Sequence, residues 1–226
     1  MSPERTREPQ YQSCVDLAEQ RGRTQFGLMT NQTWHDNPRH LLFVLSRYKF
    51  VAKMLAGRER VLEVGCADAF GTRVVQQTVG MVTAIDFDPV FIEDVIGRSD
   101  PDWPLDARVH DIRDGPIDEG FDAAFALDVL EHIDPRDEER FLTNIAHSLG
   151  PQGVLVIGTP SVHSQGFASP ASREGHVNCK DGAELRNLME RFFHNVFIYS
   201  MNDEVLHTGH DRMSHYLFAV ATSRRD

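Results

Sequence analysis

The run Arg60-Val-Leu-Glu-Val-Gly-Cys-Ala-Asp-Ala-Phe-Gly71, followed by Val82-Thr-Ala-Ile-Asp86, constrains this chain more than any other feature. It reads as strand, glycine turn, helix, strand and acid. Val61, Leu62 and Val64 make a short buried strand, and Gly65 lets the backbone turn where a side chain would collide with a ligand. Asp86 closes the second strand, placed to hydrogen-bond both hydroxyls of a ribose. An α/β crevice for a nucleoside is the expectation.

The rest of the chain extends that pattern. Strands are predicted at about 60–65, 81–86, 105–110, 121–126 and 153–158, with helices at about 70–78, 88–97 and 135–148 between them. Such alternation builds a parallel sheet with helices on both faces. A helix at about 181–192 then leads to two β-rich runs, Asn195–Ser200 and His215–Thr222, joined without a crossover helix and so antiparallel. The predicted fold is α/β, a Rossmann-like seven-stranded, mostly parallel sheet with an antiparallel last strand. Residues 1–57 are read as an N-terminal tail and helical cap, and 58–226 as the ligand-binding domain. Within the first part, residues 1 to about 12 contain Pro3 and Pro9 and read as a loose tail. Asp36 or Asn37 caps a helix with Pro38 in its first turn, and Leu41, Leu42, Leu45, Tyr48, Val51, Ala52 and Leu55 recur at helical spacing.

Composition narrows the partners. With 23 basic and 34 acidic side chains, the net charge is -11. That balance argues against DNA or a long RNA, whose affinity rests on Lys and Arg neutralising phosphates. The three cysteines, Cys14, Cys66 and Cys179, form neither a Cys-x-x-Cys site nor a disulfide framework. No signal-peptide core and no apolar run of about 18 residues is present, so a cytoplasmic protein without a membrane partner is expected. The sequence leaves monomer and homodimer equally open.

Glycine spacing separates two cofactor classes. A dinucleotide fingerprint needs small residues at offsets of about two and five from the first glycine. Here they stand at Ala67 and Gly71, offsets of two and six from Gly65, with Glu63 two residues before it. This Glu-x-Gly-x-Ala-x-x-x-Gly pattern resembles motif I of the class I S-adenosylmethionine (SAM)-dependent methyltransferases. The resemblance covers residues 60–222 and implies that fold, with SAM as the cofactor. It implies cofactor roles for Glu63, Gly65, Ala67, Gly71 and Asp86, for Phe87 against one face of the adenine, and for Asp111 and Ile112 at its amino edge and ring. From the cap, Arg47 is a candidate to pair with the methionine carboxylate in bidentate fashion. Trp34 and Tyr48 are candidates for the same methionine end, Trp34 being placed also at the acceptor, while Tyr48, on the apolar face of the same helix, reads equally as core.

Beyond the fourth strand, Phe125-Ala-Leu-Asp-Val-Leu-Glu-His-Ile133 brings together Asp128, Glu131 and His132. If a helix begins there, the three share one face, and two carboxylates with an imidazole are a partial divalent-metal site. His176, in the loop after the fifth strand, is the candidate fourth ligand. The set resembles the acid-x-x-Glu-His plus distant His of metal-dependent O-methyltransferases that modify ubiquinone precursors or the terminal ribose of small RNAs, with Asp128 in place of the usual Glu. Mixed carboxylate and imidazole ligands suit Mg²⁺ or Mn²⁺. Without a metal, His132 or His176 is the general base. The sixth strand ends at the ligand edge, so the loop Met201–Met213 is expected to overhang the acceptor, with Asp203, Glu204, His207 and Arg212 as contacts. The function expected is SAM-dependent O-methylation of a small polar metabolite, such as a nucleotide-linked sugar, a phosphorylated intermediate or a natural product. Metal-independent N- or O-methylation and a non-catalytic SAM-binding partner are the alternatives.

Overall fold

The computed structural model describes residues 5–117 and 120–225, so the first four residues of the expected tail, Pro3 included, lie outside the described range. In chain order the elements are α1 (Gln12–Arg21), α2 (Leu28–Asp36), α3 (His40–Met54), β1 (Arg60–Val64), α4 (Thr72–Gln76), β2 (Met81–Asp86), α5 (Pro89–Gly97) and β3 (Asp106–Val109). They continue with β4 (Phe121–Leu127), α6 (Glu138–Ser148), β5 (Leu149–Pro160), α7 (Pro170–Gly175), α8 (Gly182–Met189), β6 (Phe193–Asn202), β7 (Val205–His207) and β8 (Tyr216–Arg224). The sheet order is β3-β2-β1-β4-β5-β8-β6-β7. β3 through β5 are mutually parallel, and β8 enters between β5 and β6 antiparallel to both. Strand order reverses at β1 and β4, the edge where open α/β sheets bind ligands beyond their strand C-termini.

Strand alternation explains the two packed layers. Leu62 and Val64 face one side with Ile85, Ala124, Leu155 and Ile157, covered by Phe141, Leu142 and Ile145 of α6 and Leu185 and Leu188 of α8. Val61, Val82, Phe125 and Val156 face the other side, covered by Val51 of α3, Leu55 just beyond it, and Val75 of α4. Glu63 shares that second side with Val61, so a carboxylate is driven beneath α3 and α4.

Two expectations need correcting. The sheet has eight strands, because Asp203, in the left-handed region at φ 49°, reverses the chain and pairs Ser200 to Asn202 with Val205 to His207. A three-residue strand carries too little alternation to be read from sequence, whereas an Asp tolerating positive φ at a hairpin is its physical cause. The cap helix begins at His40, with no side-chain cap; the Asn37 carbonyl accepts from the His40 N–H, and Pro38 precedes the helix. Among the described residues no helix is long and apolar enough to cross a membrane.

Candidate active site

The turn after β1 and the end of β2 are tied through one carboxylate. Gly65, at φ 72°, and Cys66 both donate their N–H to the Ile85 carbonyl, at 2.8 and 3.0 Å. The N–H of Ala67 donates to Asp86 Oδ2 and that of Asp88 to Oδ1, each at 2.9 Å. Ala67 and Ala69 are themselves left-handed, at φ 45° and 50°. Such backbone costs about 1–3 kcal/mol per residue and persists where the surroundings over-determine it. Phe87 stands beside Asp86, 66 % exposed, as an open apolar face. At the end of β3 the Arg113 guanidinium chelates Asp111, with Nη2 to Oδ2 at 2.6 Å, and holds its carboxyl below the usual range. Ile112 is buried in the core beneath the edge.

Glu63 has found the donors its burial demands. Tyr48 Oη donates to Oε1 at 2.9 Å and Thr72 Oγ1 to Oε2 at 2.6 Å. Burial pushes the Glu63 carboxyl up to about 7 despite both bonds. Tyr48 is therefore more than core filling. Its ring also lies where a Cβ on Gly71 would stand, 2.3 Å from Cδ2, so Gly71 is the space that admits it. The signal for Tyr48 was an inward acid on β1 that needed a partner.

The N-terminal helices close over the same turn. Thr30 N–H donates to Asp68 Oδ2 at 2.7 Å, and Arg98 Nη2 to the Asp68 carbonyl at 2.6 Å. Phe26 packs edge-on against Phe70, with Trp34 on its other side at 5.6 Å. Trp34 thus belongs to the aromatic group on the β1 turn.

At the end of β4 the helix premise fails. Asp128 is left-handed at φ 57°, and only Leu130–His132 form a 3-10 turn. Asp128 therefore leaves the group it was expected to join, because its carboxylate accepts from Arg47 Nη1 at 2.8 Å (Oδ1) and 2.7 Å (Oδ2). Arg47, expected at a cofactor carboxylate, is engaged within the protein by the same bonds. Glu131, His132 and His176 do converge, with one ligand atom from each lying within 4.8 Å of the others.

That convergence has visible supports. The Glu131 carbonyl accepts from Val177 N–H at 2.8 Å and Asn178 N–H at 3.0 Å, which fastens the His176 loop to the β4 end. His132 Nδ1 lies 2.9 Å from the Gly175 carbonyl and His176 Nδ1 2.8 Å from Gln165 Oε1. Carbonyl oxygens only accept, so each ring carries its proton on Nδ1 and presents the lone pair of Nε2, the outer-shell arrangement of metal-binding imidazoles. Burial and the nearby Asp128 carboxylate raise the Glu131 pKa, while burial and then His132 lower that of His176. Two imidazole nitrogens and a buried carboxylate form a donor set that fits a divalent cation and leaves positions for other oxygens.

The loop after β6 is ordered by its own contacts. His207 Nε2 meets Asn202 Oδ1 at 2.9 Å and Nδ1 accepts from Gly209 N–H at 3.0 Å, so this ring braces the hairpin on β7, at the far edge of the sheet from β3. Arg212 lies exposed in the turn Asp211–Met213. The hairpin tip leans back instead, where Glu204 shares a groove of about 440 Å³ with Leu42, Leu45 and Lys49 of α3.

Known proteins agree with this architecture. The methyltransferase domain family matches residues 62–157. A probable S-adenosylmethionine-dependent methyltransferase of Mycolicibacterium smegmatis is 29% identical over 147 residues, 63% of this chain and 54% of that protein. A ubiquinone biosynthesis O-methyltransferase of Xanthomonas campestris is 28% identical over 167 residues, covering 71% of this chain and 69% of that one. The chain thus spans about half the length of the first of these relatives. Among solved structures, the N-methyltransferase NodS of Bradyrhizobium japonicum, in complex with S-adenosylhomocysteine (SAH), superposes with a TM-score of 0.60 at 20% identity, over 84% of this chain and 90% of that one. A reversed strand order at β1 and β4, a glycine turn tied to an acid on β2 and these matches define a nucleoside-binding α/β domain. Residues 62–157 are a methyltransferase domain, and the relatives that match it support the class I SAM-dependent kind.

Proposed function

We propose that this protein is a SAM-dependent O-methyltransferase of a small polar acceptor, assisted by a divalent cation held by Glu131, His132 and His176. The observation that carries the reading is the convergence of those three side chains just past β4, the strand paired with β1 and its Gly65 turn. The cofactor fits the residues present. Gly65 lets the β1 turn pack against Val129 at the end of β4, and Asp86, Phe87 and Asp111 at the neighbouring strand ends are the residues that would meet the ribose and adenine. SAM supplies a methyl group on a sulfonium, a leaving group that needs no proton.

The protein's own residues then have two tasks, to align the acceptor oxygen with that carbon and to raise its nucleophilicity. Asp86, whose oxygens accept from the Ala67 and Asp88 N–H groups, would also accept from the ribose hydroxyls, and Glu63, held by Tyr48 and Thr72, fixes the β1 turn from beneath. Glu131, His132 and His176 would hold the cation, which would lower the pKa of an acceptor hydroxyl and set its direction. A second reading, metal-free transfer to oxygen or nitrogen, is favoured by the same exposed Nε2 lone pair of His132, which accepts a proton directly. The net charge of -11 supports a small acceptor over RNA or DNA. The free thiols of Cys14, Cys66 and Cys179 suit a reducing cytoplasm.

Transfer of radiolabelled methyl from SAM to a panel of hydroxyl and amine acceptors, before and after EDTA treatment, tests the proposal. EDTA is expected to lower the rate at least about tenfold, with Mn²⁺ or Mg²⁺ restoring it, and His176→Ala to lose a similar factor that metal does not restore. Full activity in EDTA contradicts the metal-assisted reading and favours the general base.

A further inference from the structure

Four buried side-chain polar atoms lack a hydrogen-bond partner among the described residues, Arg47 Nε, Ser214 Oγ, His215 Nε2 and Tyr216 Oη, and two of them belong to side chains in direct contact, Arg47 and Tyr216. Interiors pair such atoms almost without exception, so unpaired atoms on two side chains in contact call for an explanation. Three sit on consecutive residues leading into β8, and the fourth is on α3 over Tyr216, with the Arg47 guanidinium carbon 3.9 Å from the centre of the Tyr216 ring. Tyr216 Oη reaches the end of β5, where it lies 2.6 Å from the position of a Cβ on Gly158. Asp128 closes the group from the end of β4. Its N–H donates to the Gly158 carbonyl at 3.0 Å, its backbone is left-handed, and its side chain is 38% exposed while that of the Arg47 it binds is 8% exposed. A strained acid, fixed from behind by a buried cation and open in front, has the form of a ligand-facing group.

The chemistry on offer is mixed and close to neutral. Asp128 accepts, Arg47 Nε donates, and Tyr216 Oη does either. The one guanidinium is already matched by the one carboxylate. His40 and His215 stand at the rim, both with pKa lowered by burial and then by Arg47, so they add no charge at neutral pH. Asp203, at the hairpin tip, adds negative potential to the same space. A phosphate or carboxylate arriving there finds no unmatched cation. Hydroxyls, which donate to Asp128 and accept from Arg47 Nε and Tyr216, satisfy the unpaired atoms without adding charge.

We infer that Arg47, Asp128, His215 and Tyr216 form the acceptor seat, and that it takes an uncharged, polyhydroxylated ring, a sugar presenting neighbouring hydroxyls, in preference to an anionic one. This rests on the methyltransferase reading above, and it narrows the class of acceptor. In the transfer itself the acceptor oxygen forms a bond to the methyl carbon as the carbon–sulfur bond breaks, the electron pair leaves on sulfur as SAH, and the hydroxyl proton passes to water.

The test uses SAM with the methyl glycosides of glucose, galactose, mannose and rhamnose, beside glucose 6-phosphate and glucuronic acid, with products read by mass. SAH binding is measured on the same proteins. At least one neutral glycoside is expected to gain a methyl group with a kcat/KM at least about tenfold above both anionic sugars. Asp128→Asn is expected to raise its KM about tenfold or more while SAH affinity stays within about twofold, since one charged hydrogen bond is lost and Asn tolerates the left-handed backbone. Tyr216→Phe keeps the ring under Arg47 and removes only the hydroxyl, so a severalfold rise in KM with unchanged stability is expected. Binding of SAH with no neutral glycoside methylated, equal or better use of the anionic sugars, or an unchanged KM in Asp128→Asn overturns the inference. Absence of SAH binding overturns the underlying reading instead.

Discussion

Alanine at Gly65 is expected to destabilise the protein by roughly 2–5 kcal/mol and to abolish measurable SAH binding. Two costs combine: the left-handed backbone at φ 72° is worth about 1–2 kcal/mol against an L side chain. The added Cβ meets Val129 Cγ2 at 2.4 Å, and overpacking of that kind costs about 1–3 kcal/mol. Relief requires moving either the β1 turn or the β4 end, and both carry the ligand edge. The double variant Gly65→Ala, Val129→Ala removes the collision and leaves the backbone term, so a double-mutant cycle by urea unfolding should show favourable coupling of about 1 kcal/mol or more. Additive effects in that cycle would show that the turn yields elsewhere.

The second large effect is a pH dependence carried by Glu63. Its carboxyl rises from an ordinary 4.5 to about 7 in the folded protein, so between those values the native state holds a proton that the unfolded state has released. Stability that is fully present below about pH 4.5 is therefore lost as pH rises through 7, and the loss levels off above it. The amount is about 3 kcal/mol, from about 1.4 kcal/mol for each pH unit of displacement. Glu63→Gln carries no such proton, and its amide still meets the hydroxyls of Tyr48 and Thr72, each of which accepts as well as donates. The stability of Glu63→Gln relative to wild type should climb by about 3 kcal/mol between pH 4.5 and 8, with other titrating groups cancelling in the difference. A difference that stays flat across that range contradicts the assignment.

The parts of the site that were legible in the sequence are the local ones. Gly65, Ala67 and Asp86 sit on two adjacent parallel strands joined by one short helix, so spacing alone puts them at one edge. Glu131 and His132 were legible for the same reason, being consecutive at a strand end. Asp128 was not, because three residues of spacing suggested a helix face while the backbone takes a left-handed step that releases its carboxylate to Arg47, 81 positions away in sequence. His176 was reached by argument about strand ends, yet what fastens it, the Glu131 carbonyl accepting from Val177 and Asn178, is a pairing across a long loop that leaves no periodic trace. Tyr48 read as core because it lies on an apolar helix face. Its hydroxyl was informative only once Glu63 was known to point beneath α3. His207 drew attention by its place in the loop, and the short strand Val205–His207 that holds it is below the length at which alternation is detectable.

The central claim is that the β1 turn and the end of β2 make one seat for the adenosyl group. Calorimetric titration of SAH into the wild-type protein and into Asp86→Ala tests it most directly. Micromolar binding to wild type is expected, with a loss of about a hundredfold or more in the variant, which lacks the carboxylate proposed to accept two charge-assisted hydrogen bonds from the ribose. Equal affinity in the two proteins, or no heat of binding to wild type, would contradict it.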